Sequence, residues 1–296
     1  MFHFATRPKS LFFRLLVLAF CVAGLSIALR AEPLPADAGA LTLNTGFRYM
    51  YNLDFPSAHK TFETWQQLHP ADPLGPAANA AAYLFSEFER LHILEIELFT
   101  DRDRLQLFKA VPDPQIKASF ESELAKADRI AADALAQSPE DLDALFARVL
   151  TDGLRGDYAA LIEKQDGSGL NYLKSSRSTA QKLLAIDPEY YDAYLAIGIE
   201  NYLLGLRSAP VRWMLKLSGA KPDKEEGITK LKITAENGRY LAPYARLLLA
   251  IAALRDKDRR TATELLSGLV RDFPENRLYR NELERLQVFA RSNKEF

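Results

Sequence analysis

An all-α fold of antiparallel helix pairs is predicted by three features of this 296-residue chain. Ala, Leu, Glu and Arg are plentiful, while 14 Gly and 15 Pro are modest counts, a balance that favours helix. No segment shows the bounded β-branched alternation of a strand. A pattern of small, aromatic and proline residues also returns with interruptions. Pro70, Pro139, Pro188 and Pro274 close four similar segments and lie 69, 49 and 86 residues apart. The pattern places helices near 40–52, 55–68, 75–99, 101–109, 114–137, 141–154, 157–164, 169–185, 190–206, 210–217, 223–237, 241–255, 258–272 and 276–291.

Before the first helix, Arg7, Lys9 and Arg14 lead into an apolar stretch from Leu15 to Leu29, with small residues at Ala28 and Ala31. This is the pattern of a secretory signal. Residues 1–31 are expected to be removed on export, leaving 32–40 as a linker and 41–296 as the folded domain in the periplasm or outside the cell. The apolar run falls short of the roughly 20 residues of a spanning helix; left uncleaved, it would serve as an anchor. Phe20 before Cys21 departs from the small residue that a lipid-attachment site wants. Cleavage would take four of the 38 basic residues (Arg7, Lys9, Arg14 and Arg30) and none of the 39 acidic ones, giving a net charge of −5. A mildly acidic chain has no electrostatic reason to bind nucleic acid. Cys21 is the one cysteine, so the processed chain has no disulfide, thiolate or cysteine-metal chemistry.

In the first helix pair, Gly46 is followed by Tyr49, Ala58, Phe62, Trp65 and Pro70 at +3, +12, +16, +19 and +24. This spacing resembles the tetratricopeptide repeat, a 34-residue helix–turn–helix unit. Its logic is physical: a small residue admits the partner helix, aromatics fill the gaps, and proline ends the second helix. Trp65 departs from the pattern, standing where the repeat usually has Ala. Later units put Ala127, Ala131, Ala134 and Pro139, then Ala180 and Pro188, then Ala262, Leu266 and Pro274 on the closing positions. Tyr194 and Gly198 open a further unit. Insertions break the period, one around 164–169 and another around 215–223, and the last helix has the charged face of a solvating cap. Over 189–276 the order of a Tyr-rich helix, an Asp/Lys-Gly-Ile-Leu helix and a small-residue helix is similar to the tetratricopeptide repeat 39 family and exported bacterial relatives. Gly205 and Gly227 match its recurrent glycines.

The resemblance implies a right-handed superhelix with insertions, acting as a non-enzymatic scaffold for a protein or peptide, with no cofactor. It also implies which residues line the concave face: Phe47, Met50 and Tyr51 in the first unit and Phe85 in the second. Phe146 and Leu150 follow, then Ile199 and Tyr202. An exposed groove this apolar suits an amphipathic helix or extended peptide; the competing expectation is that residues 86–125 fill it and make it core.

The remaining candidates read as structural. His59, His69 and His92 lack the spacing of a metal site, so no metal is expected; the first two are placed on the surface and the third at a packing edge. Glu87, Glu89, Glu95 and Glu97 are assigned to the solvated face of an amphipathic helix. Ser168, Lys174 and Ser175 lie near "DGSG" without the context of a nucleophile elbow or phosphate loop. Arg207, Arg212 and Trp213 form either a basic, aromatic surface patch or a short helix plugging the superhelix. No membrane contact is expected beyond the signal. The alternative function is an enzyme or lipid-handling protein with a pocket between the repeats and residues 75–125, marked by two of Glu87, Glu95, Arg102 and Lys174 in a closed cavity. A third option is self-association through the terminal repeats.

Overall fold

The computed structural model describes residues 42–96, 98, 109–205 and 223–292, all within one compact unit, Ala40–Phe296. The signal and linker, the helices expected at 101–109 and 210–217, Arg102, and the Arg207, Arg212 and Trp213 patch lie outside the described residues.

Among the described residues the fold is all-α, with eleven α-helices and no strand. They are α1 (Leu43–Tyr51), α2 (Phe55–Leu68), α3 (Leu74–Arg90), α4 (Pro114–Gln137), α5 (Leu142–Asp157) and α6 (Asp166–Ile186). After a short 3-10 turn come α7 (Tyr194–Gly205), α8 (Lys224–Asn237), α9 (Ala242–Arg255), α10 (Arg259–Asp272) and α11 (Arg277–Ser292). Thr42, Asp54, Asp113, Asp141, Asp223 and Asp258 each accept a backbone N–H in the first turn of the helix that follows. Such caps contribute about 1 kcal/mol apiece. Each helix packs on its successor along α1 to α7, and again along α7 to α11, while α3 also touches both α1 and α5, forming an inner row.

The packing positions behave as the repeat requires. Ala58, Phe62, Ala127, Ala131, Ala180, Ala262 and Leu266 are all 0% exposed. A Cβ on Gly46 would lie 2.3 Å from the Phe62 ring, so only glycine lets α1 and α2 meet there. Trp65 turns to the α2–α3 corner, where its Nε1–H donates to Asp72 Oδ2 (2.7 Å) and its ring stacks on His69.

Two element expectations need correction. The helix expected over 75–99 ends at Arg90, and the chain reverses through Leu91–Leu94 with His92 at φ 59°. Neither Gly nor Pro marks that break. The segment expected as a separate helix at 157–164 is a π-helical turn, Tyr158–Ile162, that continues from the end of α5 with a wider winding.

The superhelix closes on itself. The Tyr51 hydroxyl donates to the Tyr240 carbonyl (3.1 Å) across 189 residues, and Asn276 Nδ2 donates to the Tyr51 carbonyl (2.8 Å). Phe47 meets Tyr240, Tyr51 meets Phe273 and Phe85 meets Tyr244, with ring centroids 5.1 to 5.5 Å apart. Arg277 also pairs with Glu89. The carboxylate of Asp192 fixes the bend ahead of α9 by accepting from the N–H groups of Arg239 (3.0 Å), Tyr240 (3.1 Å) and Leu241 (2.8 Å).

Candidate functional site

Closure converts the expected open groove into interior. Phe47, Met50, Tyr51, Phe85, Phe146, Leu150 and Tyr202 are between 0 and 8% exposed, and Ile199 is half-buried. The exposed apolar groove is therefore corrected to a buried face. Among the described residues its cover includes the carboxy-terminal third, through Tyr240, Tyr244 and Phe273, and residues 97 and 99–108 of the 86–125 segment lie outside the described residues. The cause is the aromatic content of the inner row, since rings left in water gain most by packing edge-to-face on one another.

The inner row does not fill completely. One apolar chamber of about 60 Å³ is lined by Phe47, Met50, Tyr51, Phe85, Leu150 and Ile199, among others. A second, of about 160 Å³, runs between α5, α7 and α9 and the corner formed by Phe88, Ile93 and Leu94. The two share Asp157, Leu173, Ile199 and Tyr244 in their walls. Seven of the eight expected groove residues thus converge on this cavity. Phe146 instead packs against the rings of Tyr190 and Tyr240.

Asp157 is the group that sequence reasoning missed. It ends α5 on the same face as Phe146, Leu150 and Gly153, at spacings of +4, +3 and +4. An acid closing an inward apolar stripe was the available signal. It is half-buried and lines both chambers. Burial pushes its carboxyl up to about 7, against a small opposing hydrogen bond from the Tyr244 hydroxyl at 3.4 Å. Burial likewise holds the Tyr244 phenol well above its ordinary value, and Asp157 raises it further.

Among the other polar groups of the interior, the Tyr202 hydroxyl and the Asn201 amide are buried without a partner among the described residues, while the rest named below are paired. Asp192 is occupied by backbone donors, and Ser176 Oγ donates to the Val149 carbonyl (2.8 Å). Glu200, 2% exposed, pairs with Arg177 at 3.2 Å between α6 and α7. Glu87, assigned above to a solvated face, is 1% exposed. It accepts from Arg90 Nε and Nη2 and from the Asp113 N–H, all at 2.7 Å, because the 109–113 segment crosses the end of α3 and desolvates it. Of the four residues expected to mark an enzyme or lipid pocket, Glu87, Glu95 and Lys174 line neither chamber, and Arg102 lies outside the described residues. Gly167, Ser168 and Gly169 form the first turn of α6, and Ser175 Oγ donates to Asp152 (2.6 Å).

His59 departs from its surface placement. It sits half-buried between α2 and α3, with Nδ1 2.6 Å from Asn79 Oδ1 and its ring 4.0 Å from that of Tyr83. His69 is exposed. His92 is exposed too rather than at a packing edge, with Nδ1 2.9 Å from Glu95 Oε1. Among the described residues no group of three or more His, Cys, Asp or Glu could hold a metal ion, and no helix is long and apolar enough to cross a membrane.

A thermophilic TPR protein of Thermus thermophilus is similar in structure, at 15% identity and a TM-score of 0.41 over 83% of this chain and 100% of that one. No protein-family model and no curated protein matches.

Proposed function

We propose that this chain is an exported, non-enzymatic helical-repeat scaffold that binds a protein or peptide in the cell envelope. The observation that carries the reading is an outer groove of about 480 Å³ between α8 and α10, floored by α9. Ile228, Leu249, Ala253 and Leu265 give it an apolar base, and Lys232, Glu236 and Asp258 a charged rim of both signs. An apolar floor with a polar rim suits an extended or helical peptide. This outer groove takes the place of the inner face as the docking surface. Export by residues 1–31 belongs to the same proposal, as does kinship with the tetratricopeptide repeat 39 family. The latter draws support from Gly205 and Gly227, whose added Cβ atoms would lie 2.6 Å from the Lys224 nitrogen and 2.5 Å from the Tyr202 nitrogen.

The test is affinity capture from envelope extracts with wild type and an Ile228→Arg/Ala253→Arg variant, both positions being half-exposed. The variant should keep its circular dichroism spectrum and lose the partner. Identical captured sets would remove the groove, and an empty wild-type capture would remove the scaffold reading. Glu at Phe47 or Tyr202 would report folding instead, since both are buried. A second reading, a lipid-handling protein, is favoured by one observation. The larger chamber lies between the repeat helices and Phe88, Ile93 and Leu94, within the segment where such a pocket was expected.

A further inference from the structure

We propose that the larger chamber binds a medium-chain monocarboxylate, its hydrocarbon chain lying along α9 and its carboxylate held by Arg255 and Tyr202. The inference rests on the lipid-handling reading and gives it a ligand class.

The shape favours a chain over a compact molecule. Tyr244, Leu247, Leu248, Ile251 and Arg255 recur at +3, +4, +7 and +11, one stripe of α9, and all five line the chamber. At 1.5 Å rise per residue that stripe runs about 16 Å. Phe88, Leu94 and Leu161 complete an apolar wall. A dry apolar cavity of about 150 Å³ is enough to hold a benzene-sized guest, and this one has about 160 Å³.

The two ends differ chemically, which sets the orientation. At the Tyr244 end the polar groups satisfy each other, the tyrosine hydroxyl donating to Asp157. A carboxylate there would face another acid. At the far end Arg255 has no hydrogen-bond or ion-pair partner among the described residues. Its neighbour Asp256 is taken up by Lys224 at 2.6 Å. Tyr202, 8% exposed, lines the same end, and its hydroxyl is buried without a partner. Arg255 lies close enough to pull the Tyr202 phenol down against the stronger effect of burial. A buried donor with nothing to bind is costly, and a guanidinium beside it makes the pair a receptor for a carboxylate oxygen. Arg255 argues against a cationic amphiphile.

The experiment titrates the full chain calorimetrically with hexanoate, a chain short enough for about 160 Å³, and with hexan-1-ol. Wild type should bind one hexanoate saturably. Arg255→Gln should weaken hexanoate about tenfold or more, and Tyr202→Phe by a smaller factor, with hexan-1-ol unchanged in Arg255→Gln. If hexan-1-ol and hexanoate bind wild type and Arg255→Gln alike, the head-group assignment is overturned while an apolar-ligand site stands. If neither ligand saturates, the chamber is a packing void and both readings fall.

Discussion

The carboxyl of Asp157 makes stability depend on pH with a sign opposite to that of a salt-bridged acid. Its folded pKa, about 7, stands above the ordinary 3.8. Between those values the unfolded chain has lost the proton and the folded chain keeps it. Rising pH therefore drains stability across this window, and above about pH 7 the full cost is present. A gap of roughly three units at 1.36 kcal/mol each sets an upper bound of about 4 kcal/mol. Water admitted to the chamber would screen the charge, so about 2–3 kcal/mol is the working figure. Asp157→Asn keeps the shape, can still accept from Tyr244, and carries no charge. In urea unfolding the variant should gain on wild type steadily from about pH 5 to about pH 8, reaching about 2–3 kcal/mol. Burial also raises the carboxyls of Asp143, Asp192 and Glu200, with the same sign, but those groups are common to both chains and cancel in the difference. A difference that stays flat with pH, or that favours wild type as pH rises, would refute the reasoning.

Two glycine substitutions should move stability in opposite directions. At Gly227 an added Cβ would lie 2.5 Å from the Tyr202 nitrogen and 2.9 Å from the Gly198 carbonyl oxygen, so Gly227→Ala must part α7 from α8. It should lower stability by about 2–3 kcal/mol, whereas Gly268→Ala, with nothing nearer than 3.8 Å, should raise it by about 0.5–1 kcal/mol in thermal melts. Glu200→Gln leaves the Arg177 guanidinium without its buried counter-charge and should cost about 3 kcal/mol, most of it recovered by Arg177→Met in the same chain, as a double-mutant cycle would show. Tyr51→Phe removes the hydroxyl that joins α1 to the Tyr240 carbonyl. It should cost about 1–2 kcal/mol, with faster amide exchange appearing at 240–244 rather than only within α1.

What was legible in the sequence was local. Gly46 against Phe62, and Ala127 with Ala131, are contacts made within a helix or between consecutive helices, where residue size and spacing suffice to identify the buried positions. The inner row was legible as apolar but not as covered. Periodicity states which face avoids water, and the rings that cover this one come from positions such as Tyr240, 189 residues beyond Tyr51. Glu87 misled for a related reason. Its charge marks a polar face by pattern, yet Arg90 and the Asp113 N–H supply inside the protein what water would supply outside. The break after Arg90 had no Gly or Pro to announce it. Asp157 was readable in principle, by extending the Phe146–Leu150 stripe to the end of its helix.

Closure changes the physics expected of a repeat array. In an open stack each unit touches only its neighbours, and stability is roughly a sum of unit and interface terms. Here α1 lies against the bend before α9 and the start of α11, so the first and last pairs share one interface. That interface covers the inner row, and the imperfect fit of large rings there leaves the smaller chamber, lined by Phe47, Met50 and Tyr51 on one side and Leu241 and Tyr244 on the other. The smaller chamber is therefore a consequence of the fold's end-to-end contact rather than of any single repeat. The polar residues of the larger chamber come from different pairs: Asp157 from α5, Tyr202 from α7, and Tyr244 and Arg255 from α9. Separating α1 from Tyr240 would open the smaller chamber first, since Phe47, Met50 and Tyr51 line that chamber and not the larger one. The larger chamber, walled by α5, α7 and α9, depends less on the first pair, which is why a ligand held there by Arg255 and a partner held on the outer face of α9 can be tested independently.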